Sequence, residues 1–268
     1  MSGEARDHLY LWNGVLLYVT QGEHNNDWHS HYAASVLICP DASFRLQTRE
    51  QEHQCQVAVL APNTENRIDV QGRLLALMVD PDSAAYLPLA SYLDGAAAVT
   101  VDDLSSGALL RQVSQLFERS PDQATAQLAV DDIIEALTGQ RPAPQPRHLD
   151  ARIVNVLHRI RDALPEEIPV ETLAEEVELS RSRLLHLFKE QLGLPMGQYL
   201  LWRRLYESVR LWDEGMNMTD AAHAAGFYDQ SHYTRTMRRM LDVTPSEVAR
   251  NPQLKIHHGW RDMADMPE

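Results

Sequence analysis

Residues 170–193 read VETLAEEVELSRSRLLHLFKEQLG, and residues 218–247 read MTDAAHAAGFYDQSHYTRTMRRMLDVTPSE. Each stretch holds a short amphipathic helical run with a central alanine, Ala174 or Ala222. A tight turn follows, then a second run that opens with small polar residues. This is the helix-turn-helix plan twice over, and it predicts two helices of the kind that enter a DNA major groove. Between them, residues 195–214 form one long helical run carrying Tyr199, Leu200, Leu205, Val209, Leu211 and Trp212. That surface is too apolar for a free linker, so the helix is expected to pack on both modules and set their spacing.

Capping chemistry supports these boundaries. Ser180 precedes the second helix of the first module and can accept from its free N–H groups, and Gly193 follows it at the position where positive φ is common. Asp229 can cap the last long helix, and Thr244-Pro245-Ser246-Glu247 spells a capping box for one more. The helix after Ser180 is expected to bury Leu184, Leu187, Phe188 and Leu192. Its outer face is then Arg181, Ser182, Arg183, Leu185, His186 and Lys189. In the second module Tyr233, Met237 and Met240 point inward, leaving Gln230, Ser231, His232, Arg235, Arg238 and Arg239 for the groove. Short hydrogen-bonding side chains suit base edges and cations suit phosphates: Gln matches adenine, Arg matches guanine, and Leu185 can meet a thymine methyl.

The whole chain carries a net charge of −14, which excludes a uniformly nucleic-acid-binding surface. Residues 1–146 hold 8 Lys and Arg against 19 Asp and Glu; residues 147–268 hold 16 against 19. DNA binding must therefore use a local basic face of the second half. No apolar run approaches the roughly 18 residues of a membrane helix, and MSGEARDHLY has no signal-peptide core. A cytoplasmic protein without membrane contact is expected. Cys39 and Cys55 have no metal-clip or disulfide spacing and read as small buried strand residues.

The first half alternates short β-rich runs with turn chemistry. Residues 9–20 read as a hairpin about Asn13-Gly14, and further strands are expected at 34–38, 44–48, 56–60, 67–70 and 74–79, with a turn at Gln71-Gly72. Such strands predict a small β-barrel that can hold a ligand in its mouth. His24, Trp28, His29 and His31 are the candidate ligand-lining residues, with His29 and His31 on one strand face. Two helices follow, at 101–119 (Leu104, Leu109, Leu110, Val113) and 124–137 (Leu128, Ile133, Ile134), broken at Ser120-Pro121. Their apolar stripes are wide enough to serve the barrel or a subunit interface. GQRPAPQPR, residues 139–147, is an extended linker.

LAEEVELSRSRLLHLFKEQLG, YLLWRRLYESVRLW and GFYDQSHYTRTMRRMLDVTP together resemble the AraC/XylS family of bacterial transcription regulators. The resemblance covers residues 149–250 and implies a seven-helix domain with two major-groove readers on promoter DNA. It places Ser182, Leu185 and His186 at base-reading positions of the first module, and Gln230, Ser231, His232 and Arg235 at those of the second. The first half is similar, more loosely, to the cupin barrel of such regulators. The chain departs from the family at Tyr233 and Met237, where Phe is usual, at Asp242, where Gly is usual, and at Val248-Ala249. The Tyr233 hydroxyl then needs a partner, and the second module is expected to be the less stable one.

The expected architecture is a multidomain α+β protein. A cupin-like β-barrel with amphipathic helices (1–138) would bind an effector and dimerise. After the linker (139–147) comes an all-α double helix-turn-helix domain (148–252), then a tail (253–268). The expected function is effector-responsive, sequence-specific binding of double-stranded promoter DNA by a homodimer, without catalysis or cofactor, and with RNA polymerase as partner if it activates. The main alternative is a metal-dependent cupin enzyme, motivated by His29 and His31. Against it, HYAASVLICPD lacks the cupin Glu, and APNTENRIDV has Glu65, Asn66 and Arg67 where the further His would stand, so no metal ligand set is assigned. Two other readings are a DNA-alkyl acceptor using Cys39 or Cys55, and an interaction protein with a degenerate second module.

Overall fold

The hydrophobic runs of the first half become strands of a single mixed sheet. The structure is a computed structural model and describes residues 7–12, 14–102, 107–119, 121–143, 149–164, 166, 168–241 and 243–258. Asn13, Leu104, Ser120, Asp242 and linker residues 144–147 lie outside that set. The strands are β1 (Asp7–Trp12), β2 (Val15–Asn25), β3 (Ala34–Ile38), β4 (Phe44–Thr48), β5 (Glu52–Cys55), β6 (Val57–Leu60), β7 (Asn66–Val79), β8 (Ala98–Val101) and β9 (Leu254–His258). They run in the order β8-β6-β3-β7-β2-β1-β9, with β4 and β5 branching from β7. The expected barrel is thus realised as a mixed sheet that does not close.

β7 is the spine. It pairs with β2 along its length on one side, and with β4 then β3 on the other. The turn expected at Gln71-Gly72 is absent, and one strand runs through it. Gly72 sits in register opposite Gly22, with φ of 114° and 155°. Two facing residues without Cβ can take these φ values while the ladder continues unbroken. Period-two alternation sends successive residues to two cores. Val36, Ile38, Val57, Val59, Leu75 and Leu77 face one cluster, while Leu37, Ala58, Leu60, Leu74 and Ala76 face the other. The first is covered by α1 (Tyr86–Leu93), α2 (Gly107–Arg119) and α3 (Gln123–Thr138), through Leu89, Val113, Val130, Ile133 and Ile134. Leu128 stays exposed on α3.

The chain divides into two compact units, Met1–Pro146 with Asn251–Glu268, and Arg147–Arg250. Residues 254–258, read above as tail, supply β9, which pairs in parallel with β1. Asp7 anchors this return: its carboxylate accepts from Asn251 Nδ2 at 2.8 Å and from Thr20 Oγ1 at 2.7 Å.

The second unit is all helical: α4 (Ala151–Ala163), α5 (Val170–Glu176), α6 (Arg181–Leu192), α7 (Met196–Asp213), α8 (Met218–Ala224), α9 (Gln230–Leu241) and α10 (Pro245–Arg250). Ile153, Val156 and Ile160 of α4 pack with Leu173, Leu184, Phe188 and Tyr199 as the first module's core. The capping box forms as written: Glu247 N–H donates to Thr244 Oγ1 at 3.2 Å and Thr244 N–H to Glu247 Oε2 at 2.6 Å. Among the described residues, no helix is long and apolar enough to cross a membrane.

Candidate nucleic-acid interface

α7 ties both modules together. Tyr199 meets Phe188 of α6 edge-on, with ring centroids 5.6 Å apart. Further along α7, the buried Ser208 hydroxyl is hydrogen-bonded to Tyr233 of α9 at 3.2 Å and to the Leu205 carbonyl at 2.7 Å. At 1.5 Å of rise per residue these two attachments are about 14 Å apart along the helix axis. Ser208 is also the partner that the buried Tyr233 phenol requires, so the departure from Phe at this position is compensated on the neighbouring helix.

The two turns are built alike. Leu179 N–H donates to Ala174 O, and Phe227 N–H to Ala222 O, each closing the preceding short helix. The residue before each takes the left-handed conformation, Glu178 at φ 55° and Gly226 at φ 87°. Ser180 caps α6 by accepting from Arg183 N–H, and Asp229 accepts from His232 N–H at 2.6 Å. Aligning these caps pairs Arg181 with Gln230, Ser182 with Ser231, His186 with Arg235 and Lys189 with Arg238. It also pairs Leu184, Leu187 and Phe188 with Tyr233, Thr236 and Met237, and all six are buried. The buried stripe fixes which face is free.

Arg181, Ser182, Arg183, His186 and Lys189 are exposed on α6, and Gln230, Ser231, Arg235, Arg238 and Arg239 on α9. Two expected readers sit lower. Leu185 is half-buried against the first module's core. His232 is half-buried with its ring 5.4 Å from Phe227. Both therefore offer less surface to a base than their helical spacing implied.

Charge pairing engages part of each face. Arg181 is held by Glu171 at 2.8 Å, His186 has Glu190 at 3.7 Å, and Arg238 has Glu247 at 3.5 Å. Among the described residues, no carboxylate forms an ion pair within 4 Å of Arg183, Lys189, Arg235 or Arg239, although the Arg183 charge acts on Asp150. These counter-ions were not singled out in the sequence, although the His186–Glu190 spacing was there to be read. Tyr228, in the second turn, was also missed. It is 87% exposed.

The first unit arranges its candidate residues differently. His29 and His31 come together, Nε2 to Nε2 at 2.9 Å, and both are buried. His29 Nδ1 lies 3.0 Å from Asp27 O, which assigns it the proton there, so His31 is the donor in the pair. Burial, with the facing His29, pushes His31 down to about 3, so it is neutral near pH 7. His24 sits elsewhere, 3.3 Å from Thr20 Oγ1, its pKa lowered by burial. Trp28 stacks under Arg49 (4.0 Å) and Arg67 (5.4 Å). A polar cavity of about 140 Å³ is lined by Asn25, Arg45, Gln47, Arg67, Ile68 and Asp69, and none of the four expected residues lines it. Among the described residues no three His, Cys, Asp or Glu are grouped to hold a metal. Burial raises Cys39 and Cys55 each to about 12, the opposite of what a reactive thiolate needs.

Residues 173–251 match the model of a family described as a helix-turn-helix domain. The Proteus vulgaris protein named Probable transcription factor PqrA is 30% identical over 94 residues, which are 35% of this chain and 77% of PqrA. The chain belongs to the AraC/XylS family of transcription regulators. The transcriptional activator RhaS of Citrobacter koseri is 33% identical over 102 residues, which are 37% of this chain and 36% of RhaS. RhaS of an Enterobacter strain is 28% identical over 145 residues, so the chain matches about half of that protein (51%). These relatives are named as transcription regulators and lend nothing to the cupin-enzyme alternative. Apo ToxT from Vibrio cholerae shares the fold, with a TM-score of 0.60 at 12% identity over 88% of this chain and 97% of ToxT.

Proposed function

We propose that this AraC/XylS-family protein is a sequence-specific regulator of transcription that binds double-stranded promoter DNA through α6 and α9. One observation carries the reading. Two helices of equal length, each buried by the same three register positions and free on the same opposite face, are attached to one spacer helix. Adjacent major-groove segments accept that arrangement. Arg181, Ser182, Arg183, His186, Lys189, Gln230, Ser231, Arg235, Arg238 and Arg239 are the contact set, with Leu185 and His232 at its edge. Lys189, Arg235 and Arg239, which have no ion-paired carboxylate among the described residues, meet phosphates together with Arg183.

The sheet unit carries no matching charge and is assigned to effector sensing and homodimerisation in the cytoplasm, without catalysis. Vibrio cholerae ToxT has been seen bound to an unsaturated fatty acid, which supports a small-molecule effector for this unit. Activator relatives support a contact with RNA polymerase. The test is selection of duplexes from a random library by the full chain, followed by footprinting of the region upstream of its gene. The expected result is a bipartite site protected on one face of the duplex. No enriched duplex, together with no footprint, overturns the reading.

A further inference from the structure

The two turns differ in length: the first covers residues 177–180 between α5 and α6, the second 225–229 between α8 and α9. Both sides of the longer turn are fixed. Phe227 is buried, its N–H given to Ala222 O and its ring 5.0 Å from Tyr233. Asp229 is held as the cap of α9 by the His232 and Tyr233 N–H groups. The extra residue is therefore Tyr228, forced outward between two anchored neighbours. A residue that served only to lengthen a turn would be glycine, asparagine or serine. Here the position holds a phenol, 87% exposed, two residues before Gln230 and three before Ser231.

We infer that Tyr228 is a DNA-contacting residue peculiar to the second module. Its ring lies on a deoxyribose of the second half-site and its hydroxyl donates to a backbone phosphate. This rests on the DNA-binding reading above. An aromatic side chain with a polar tip suits a surface that is apolar on its sugar face and anionic at its rim. Arg235 and Arg239, unpaired on the same helix, bring phosphates to that side. Asp229, the acid beside Tyr228, is engaged as the cap, so it does not compete for the phenol. The first module has no equivalent, which makes the contact a device that distinguishes the two half-sites and so fixes the orientation of the protein on its site.

The experiment uses full-length protein and the best duplex recovered by selection with the wild type. Tyr228→Ala is expected to weaken binding about tenfold and Tyr228→Phe about threefold, the cost of a stacked ring and of one hydrogen bond. The salt dependence of binding should keep its slope in both variants, because no cation is lost, whereas Arg239→Ala should lower the slope by about one. A neutral methylphosphonate at the contacted phosphate of the second half-site should erase the difference between wild type and Tyr228→Phe. Wild-type binding with both Tyr228 variants within twofold of it overturns this inference and leaves DNA binding intact. A changed slope in Tyr228→Ala also overturns it, since that signals a displaced module. A wild type that enriches no duplex overturns the DNA-binding reading, and this inference with it.

Discussion

Replacing Ser208 with alanine tests how the second module is attached to α7. The Ser208 hydroxyl is buried and shared between the Tyr233 phenol (3.2 Å) and the Leu205 carbonyl (2.7 Å). Leu205 O already serves the α7 ladder, so its loss costs little. The phenol fares worse, since its remaining contact is Met218 Sδ at 3.4 Å, a weak acceptor. One lost hydrogen bond plus a buried, under-satisfied hydroxyl amounts to about 2 kcal/mol for Ser208→Ala. Tyr233→Phe removes the hydroxyl itself and leaves Ser208 with Leu205, a cost of about 1 kcal/mol. With Phe in place there is no phenol to strand, so the double variant should also cost about 1 kcal/mol rather than 3. A whole-chain melt blurs the result because the chain has two compact units. Native-state hydrogen exchange of the α9 amides reads the second module directly. Additive costs would refute the reasoning, as would a Tyr233→Phe variant less stable than Ser208→Ala.

Three further outcomes follow from the same structure. Glu178 occupies the left-handed region at φ 55° where the second module has Gly226; Glu178→Gly should stabilise the first module by about 0.5–1 kcal/mol and Gly226→Ala should destabilise the second by about 1 kcal/mol, measured by exchange in α6 and α9. His31 has its pKa pushed down to about 3 by burial, against about 6.5 when unfolded. The unfolded state therefore binds more protons in acid, so this stability is present above pH 6.5 and is lost as pH falls toward 3. At pH 5 the loss is about 2 kcal/mol. His31→Gln should flatten the exchange-measured stability of β3 and β6 between pH 7.5 and 5, and an unchanged acid sensitivity would reject it. Finally, Arg183→Ala and Arg235→Ala should each reduce the salt slope of DNA binding by about one, whereas Arg181→Ala, already paired with Glu171, should reduce it by less.

The helical half was legible because its information is local. A 3.6-residue stripe names the buried face of α6, and Ser180 and Gly193 mark its ends within twelve residues. The sheet half was legible strand by strand: β3 and β4 fall on 34–38 and 44–48 as expected. Its assembly was not. Gly72 carries the same composition cue whether it turns the chain or bends a strand, and only its register against Gly22 decides. LKIHH of β9 is ordinary as a segment, and its meaning comes from β1, paired Asp7 with Leu254 across the whole chain. α1 was hidden by Pro88 within YLPLASYL. His29 and His31 were placed together correctly, but whether paired imidazoles bind a metal or each other depends on what else converges, which no local spacing reports.

The family departures in the second module invited the view that it is the weaker partner, and its contacts argue otherwise. Tyr233 has Ser208, α9 begins on Asp229, and α10 opens with the Thr244–Glu247 box. Of the residues that differ from the family, Tyr233 is matched by a partner for its hydroxyl, Ser208. On the outer face each module has partnered cations, Arg181 in the first and Arg238 in the second, and each keeps two with no ion-paired carboxylate among the described residues, but only the second adds the exposed Tyr228. The Ser182–Ser231 correspondence leaves a shared element in both helices. Two modules of one plan thus differ in their turns and in Tyr228, with α7 attached to both through Tyr199 and Ser208.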